Sequence, residues 1–386
     1  MMVKRNAQET LEQLSGEYPA VIITGPRQSG KTTLAVSAFP EKEYCSLENL
    51  DMRLLAREDP RQFLGRFPEG AVLDEVQHAP DLLSYLQEKI DFDGVPGRWI
   101  LTGSQRFGVL SGFSQSLAGR AAYLELLPFS LDEIPDHKDE SSLDDVLLLG
   151  LFPRVHDRKM DPGIWAQNYI RSYIERDVRS IMNVKDLITF QRFLGLCAAR
   201  TGQLINLSNL ACDAGISHNT AKAWISLLEA SYVLFSLPPY HSNFRKRLVR
   251  TPKLYFHDTS LICSLLSIES AKALNLSPMR GAIFENLVIT ELLKSRFNSG
   301  RRSNLYFWRD RAGHEVDILI DGANGLIPVE VKSGLSMNRD YLKGLKWFKT
   351  LSGAPAMKLV YAGDSSWELD GAEILSWREL LSLKHP

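Results

Sequence analysis

Cysteine is scarce in this chain. The four present, Cys45, Cys197, Cys212 and Cys263, lie far apart and form no CxxC pair. This argues against both a disulfide framework and a zinc ribbon, and the four read as small buried hydrophobes. Long apolar runs are missing as well. The longest, Val146–Leu149 followed by Leu151 and Phe152, falls far short of the roughly 20 residues that cross a bilayer. The start, Met1–Thr10, is polar and has no apolar signal segment, so the expectation is a cytoplasmic protein without a membrane partner. Charge of one sign is not in excess: the formal net charge of −1 argues against wholesale coating of nucleic acid and leaves only local basic sites for it. No nucleophile elbow or local triad supports acyl transfer. His78, His156, His241 and His314 lack metal-ligand spacing.

What is present is an ordinary folding composition, 44% hydrophobic and 24% charged over 386 residues, long enough for two or three cores. From Ala20 to about Pro128, short aliphatic runs (Ala20–Ile23, Ala71–Leu73, Trp99–Leu101) alternate with helix-like stretches, the pattern of a parallel sheet covered on both faces. Residues 131–145 are acidic and polar, a linker or lid entry, and a mainly helical region follows to about Leu266. Beyond Met279 a helix through Phe284 to Leu293 precedes strands at Leu305–Trp308, Val316–Ile320 and Ile327–Val331. These divisions give three expected domains, 1–130, 131–275 and 276–386.

The segment Gly25-Pro26-Arg27-Gln28-Ser29-Gly30-Lys31-Thr32-Thr33 directly follows an apolar strand and opens a helix, so it fits GxxxxGK[ST] in the required context. Gly25 and Gly30 let the backbone approach phosphate, loop amides supply positive potential, Lys31 bridges the β and γ phosphates of ATP, and Thr32 ligates Mg²⁺. Ala71-Val-Leu-Asp74-Glu75 supplies a strand ending in two carboxylates, Asp74 for the metal and Glu75 to orient the attacking water. A third strand ends in Thr102-Gly-Ser104-Gln105, where Ser104 or Thr102 is the γ-phosphate sensor candidate. Leu117-Ala-Gly-Arg120 precedes a strand-like Ala121–Leu126, and Arg120 reads either as an arginine finger reaching a neighbouring subunit of a homo-oligomer or as a plain sheet-edge arginine.

The spacing from the P-loop through LDEVQ (73–77) and LTGSQ (101–105) to LAGR (117–120) and LPFS (127–130) resembles the AAA+ ATPases of bacteria and archaea. More narrowly it resembles the group in which such a domain precedes a C-terminal domain of unknown function with nuclease-like motifs. That likeness spans nearly the whole chain and implies an AAA+-like sheet domain.

Residues 203–256 look like a winged helix-turn-helix. Ser208 can cap the first helix, Gly215 suits the turn, and Ser217 caps a second helix with Ala221, Trp224, Ile225 and Leu228 on one side. His218, Asn219 and Lys222 fall on the other side, where such modules enter the major groove. Arg245, Lys246, Arg247, Arg250 and Lys253 follow without an intervening acid and can track DNA phosphate, or merely keep a strand edge soluble.

In the C-terminal part Glu285 sits on a helix, while Asp317, Glu330 and Lys332 sit on neighbouring strands, Glu330 and Lys332 on one face. This resembles the PD-(D/E)XK nuclease core of the restriction-endonuclease-like fold, with Glu285 as the helical acid. Hard carboxylate oxygens would hold Mg²⁺, and the ion with Lys332 would neutralise phosphorane charge. The expected function is therefore a Mg²⁺-dependent ATPase coupled to DNA binding, with metal-dependent cleavage at Asp317 and Glu330. The competing expectation is a nucleotide-gated switch or scaffold whose nuclease-like domain only binds. Trp165, Trp308, Trp347 and Trp367 read as core residues rather than as base-stacking platforms.

Overall fold

A computed structural model describes residues 3–104, 117–134, 141–174, 186–240, 251–310 and 312–383. Gln105 and the basic stretch from Arg245 to Arg250 lie outside the described residues. The chain divides into two compact units, one of Met1–Phe129 with Ala230–Tyr232 and Phe297–Arg301, the other of Ser130–Glu229, Val233–Arg296 and Arg302–Pro386.

The first unit is built on five parallel strands, β1 (Ala20–Thr24), β2 (Glu43–Ser46), β3 (Ala71–Asp74), β4 (Trp99–Gly103) and β5 (Ala121–Glu125), in the order β2-β3-β4-β1-β5. Every residue of β1, β3 and β4 is buried, because helices cover both faces and the usual alternation is replaced by continuous aliphatic runs. Val21, Ile23 and Leu124 pack against α1 (Gln8–Glu17) and α2 (Lys31–Ala38). Ala20, Ile22, Leu73 and Leu101, one residue out of step, face α3 (Leu50–Glu58), α4 (Pro60–Gly65) and α5 (Leu82–Asp93). Each fully buried aliphatic side chain contributes about 1.5–3 kcal/mol to that core. The strand order places β4 between β1 and β3, so the end of β4 stands beside the acids that close β3. Strand β2 escapes the sequence reading because only Cys45 of its four residues is buried.

The second unit carries helices, a two-stranded antiparallel pair, β6 (Leu234–Leu237) with β7 (Lys253–Phe256), and a six-stranded mixed sheet. Its strands are β8 (Leu305–Arg309), β9 (Glu315–Gly322), β10 (Gly325–Lys332), β11 (Lys358–Tyr361), β12 (Trp367–Leu369) and β13 (Ala372–Ser376), in the order β12-β13-β11-β10-β9-β8. Strand β9 pairs antiparallel with both β8 and β10, whereas the β10–β11 and β11–β13 pairs are parallel. The helix Lys343–Ser352 seals one face with Leu345 and Phe348 against Trp308, Leu319, Leu359 and Ile374. The helix Arg280–Asn298 buries Ile283, Phe284, Leu287, Val288 and Ile289 completely, and Asn286, Thr290, Glu291 and Lys294 with them.

In the helical part Leu207–Ala214 turns at Gly215 into His218–Ala230. Ser217 Oγ accepts the Thr220 amide at 3.1 Å, and Ala221, Trp224, Ile225 and Leu228 are all buried, as the spacing predicts. The cap of the preceding helix differs from expectation. Asn206 accepts the Asn209 amide at 3.0 Å, whereas Ser208 already lies inside the helix, so the residue at the N-cap position takes the orphan amide. Cys212 is exposed, unlike the other three cysteines, because it falls on the outer face of that helix. Trp165 and Trp308 are core residues, while Trp367 is partly exposed.

Candidate functional site

Strand β1 runs into the loop Gly25–Gly30, and α2 begins at Lys31. Gly25 has φ 149°, and a Cβ there would stand 2.0 Å from the Leu126 carbonyl oxygen, so only glycine lets the loop pass this close to the chain leaving β5. Gly30, at φ 91°, turns the chain into α2, whose first turn has no side-chain cap and no acid. Its amides and dipole are thereby left for an anion. Ser29 Oγ is buried without a hydrogen-bond partner among the described residues, which suits a site awaiting phosphate oxygens. Arg5, whose role no sequence pattern signals, braces the loop by donating to the Ser29 carbonyl at 2.6 Å and the Leu127 carbonyl at 2.8 Å.

The Lys31 side chain is only 4% exposed. Its Nζ donates to the carbonyls of Gly25 at 3.0 Å and Pro26 at 2.7 Å. Burial brings its pKa down to about 8, only partly offset by Glu75 and Asp74, with Arg27 adding to the drop. An ammonium this poorly compensated is matched to an incoming polyanion. Thr32 Oγ1 donates to Asp74 Oδ1 at 2.8 Å, Tyr44 donates to Asp74 Oδ2 at 3.0 Å, and Thr102 Oγ1 also donates closely to Asp74. A hydroxyl and a carboxylate converging in this way are the hard oxygen donors Mg²⁺ takes. The residues present therefore fit the ion, and Thr32 and Asp74 are the ones that would hold it.

Glu75 occupies the left-handed region at φ 56°, which costs a non-glycine residue about 1 kcal/mol or more. Its amide donates to Thr102 Oγ1 at 3.1 Å, and its Oε2 accepts from Ser104 Oγ at 2.9 Å and closely from Gln77. Burial works against its charge, yet Lys31 and the bonds from Gln77 and Ser104 prevail and hold its pKa below the ordinary Glu value. Glu75 is thus an ionised carboxylate aimed by a turn and two donors.

Lys31, Thr32, Asp74, Glu75 and Ser104 are brought together, with Thr33 exposed on the first turn of α2 and Arg27 and Gln28 half-buried on the loop. Arg120 stands elsewhere. It forms a two-pronged pair with Asp91 of α5, one prong at 2.9 Å. Sequence reasoning missed Tyr44, because its strand is an edge, and gave no role to Gln77 of the LDEVQ segment, because its contact depends on the turn at Glu75.

A second constellation lies in the other unit. Glu330 and Lys332 share a face of β10, with Nζ 2.5 Å from Glu330 Oε1 and 3.8 Å from Asp317 Oδ2. Asp317, on the adjacent β9, accepts the Val331 amide at 2.9 Å. Glu285 receives a close hydrogen bond from the Tyr255 hydroxyl and an ion pair from Lys253 at 3.3 Å. Burial, then the like charge of Asp317, pushes Glu285 up to about 7 and Glu330 up to about 8. Glu330 Oε2 is buried without a hydrogen-bond partner among the described residues. Crowded, partly protonated carboxylates with an orphaned oxygen fit a divalent cation in donor chemistry. As arranged, however, no group of three His, Cys, Asp or Glu among the described residues is drawn together to hold one, because lysine ammonium groups stand between the acids. Glu315, which sequence reasoning missed, completes the cluster by pairing with Lys253 and Arg309.

Residues 17–135 match a family described as an AAA domain, and residues 140–272 and 280–380 match two described as domains of unknown function, DUF8612 and DUF4143. The chain is 29% identical to the uncharacterized protein Rv2008c of Mycobacterium tuberculosis over 86% of its length and 74% of that protein's. The same figures hold for the uncharacterized protein Mb2031c of Mycobacterium bovis. Among solved structures it is similar to the Walker-type ATPase PABY2304 of Pyrococcus abyssi, at 14% identity and TM-score 0.47 over 68% of this chain and 96% of that one. The AAA match together with the loop geometry supports a P-loop ATPase. Among the described residues no helix is long and apolar enough to cross a membrane.

Proposed function

We propose that this chain is a Mg²⁺-dependent ATPase that couples ATP binding and hydrolysis to DNA binding, with a PD-(D/E)XK-like C-terminal region. The observation that carries the ATPase reading is the direct bond from Thr32 to Asp74 beside a buried, undercompensated Lys31. In that reading the loop amides and Lys31 gather the phosphates, and Thr32 and Asp74 hold Mg²⁺, which when bound neutralises charge on the phosphates. Glu75 accepts the proton of the attacking water while Ser104 and Gln77 fix its carboxylate. The DNA-binding reading is supported by the helix pair 207–214 and 218–230 followed by the β6–β7 pair, the element order of a winged helix. The nuclease-like reading is supported by Asp317, Glu330 and Lys332 on adjacent strands with Glu285 beside them.

One observation favours the switch or scaffold reading for the C-terminal region: its acids are occupied by lysines rather than converged on a metal position. ATPase rates measured with and without duplex, forked and single-stranded DNA across salt concentrations test the coupling. Cleavage assays with Mg²⁺ on the parent, Asp317→Ala and Glu330→Ala separate nuclease from scaffold. An ATPase rate indifferent to every DNA at low salt refutes the coupling, and a parent without cleavage that these changes abolish refutes the nuclease.

A further inference from the structure

Lys253 is the first residue of β7, a strand that belongs to the small antiparallel pair and not to the six-stranded sheet. Its side chain nevertheless ends among the acids of that sheet and of the helix Arg280–Asn298. Nζ lies 2.6 Å from Glu315 Oε1 and 3.3 Å from Glu285 Oε1, over the Phe307 ring at 5.5 Å, with 4% of the side chain exposed. Burial opposes its charge, but Glu285, Asp317 and Glu315 outweigh that cost and keep the pKa above the ordinary Lys value. Tyr255, two residues on and on the same face of β7, donates to the same Glu285 oxygen. One short strand thus delivers both a fixed positive charge and a hydrogen-bond donor to the helical acid of the cluster. A buried ammonium at this distance from two carboxylates performs the electrostatic task of a metal ion without being one.

We propose that Lys253 is a resident counter-cation of the carboxylate cluster beside Lys332, a tethered ammonium that a divalent cation must displace from between Glu285 and Glu315 to enter. The proposal rests on reading Glu285, Asp317 and Glu330 as metal-holding acids, and it makes Lys253 a positioning residue that governs when that site is open. The exchange needs no covalent chemistry: the ammonium withdraws along its flexible stem as the carboxylates turn to the ion.

The test uses Mn²⁺ alone as the probe, titrated into the full chain carrying Asp74→Asn so that the nucleotide site does not report. Binding is followed by calorimetry or by the electron paramagnetic resonance of free Mn²⁺. Lys253→Met, which keeps the stem and removes the charge, is expected to bind Mn²⁺ at least about tenfold more tightly than the parent, since a like-charged competitor is gone. Lys253→Arg is expected to bind no better than the parent. Equal affinity in the parent and Lys253→Met, abolished in both by Glu330→Gln, keeps the metal site but overturns the displacement. Absence of binding in every protein overturns both. Should Lys253→Met fail to fold by circular dichroism, the parent still decides the matter: acetic anhydride labelling of Lys253, read by mass spectrometry, is expected to rise severalfold on saturation with Mn²⁺, and unchanged labelling overturns the proposal.

Discussion

Replacing Lys31 by methionine separates what the P-loop lysine costs the empty protein from what it contributes to the nucleotide complex. Its pKa of about 8, against an ordinary 10.5, corresponds to about 3 kcal/mol of penalty on the buried ammonium, at 1.36 kcal/mol per pH unit. Little of this is screened, because the side chain is only 4% exposed. The two carbonyl hydrogen bonds to Gly25 and Pro26 offset part of it at about 1 kcal/mol each. Without nucleotide at pH 7, Lys31→Met is therefore expected to be more stable than the parent by about 1 kcal/mol. The folded-state pKa lies below the unfolded one, so the unfolded chain holds the extra proton between pH 8 and 10.5. The penalty is complete below pH 8, and the parent's stability gains on the variant's as pH rises through that window. Mg²⁺ with ATP must invert the order, because phosphate then compensates the ammonium and only the parent gains by mass action. Thermal melts of both proteins from pH 7 to 10.5 at fixed ionic strength, with and without Mg²⁺ and ATP, read all three effects. A variant less stable than the parent at pH 7 whose difference does not change with pH would refute the electrostatic account of the loop.

Glu75→Gln keeps Ser104 and Gln77 as neighbours but removes the base. It is expected to retain ATP binding and to lose about 10²-fold or more in steady-state hydrolysis; a loss below tenfold removes Glu75 from that role. Asp74→Asn leaves Thr32, Tyr44 and Thr102 facing an amide. ATP affinity measured in a chelator should then be near the parent's while the strengthening by Mg²⁺ disappears, and persistence of that strengthening counts against Asp74 as the metal residue. Arg120→Ala breaks an exposed pair with Asp91 and should leave the melting temperature unchanged. If Arg120 serves a neighbouring subunit, mixing this variant with Glu75→Gln restores hydrolysis, whereas an undiminished rate in Arg120→Ala alone discards the finger. Glu285 and Glu330 have folded pKa values near 7 and 8, above their ordinary 4.5. The folded state therefore holds extra protons from about pH 4.5 upward, and stability falls as pH rises to about 8. Glu330→Gln should flatten that slope in melts without divalent cations, and an unaltered slope argues against the raised carboxyl.

Tyr44 and Ser104 show two ways in which folding adds to a motif. Ser104 follows an aliphatic strand and its place near the loop is legible from position, because β4 pairs with the P-loop strand, whereas its bond to Glu75 is not. Tyr44 acquires its partner only because β2 pairs with β3 in a register that sets Ser46 against Asp74, a pairing that no local pattern announces. The loop Gly25–Thr32 and the pair Asp74-Glu75 were fully legible, since backbone approach, amide potential and metal ligation demand particular residue types at fixed spacing. So were Asp317, Glu330 and Lys332, through the two-residue period of strands. Which acids crowd together was not. The contact of Lys253 with Glu285 and Glu315 joins residues 32 and 62 positions apart in the chain, and the pairing of Arg120 with Asp91 spans 29. Charges separated this far acquire their energetic meaning from burial and distance, and only the tertiary structure supplies those.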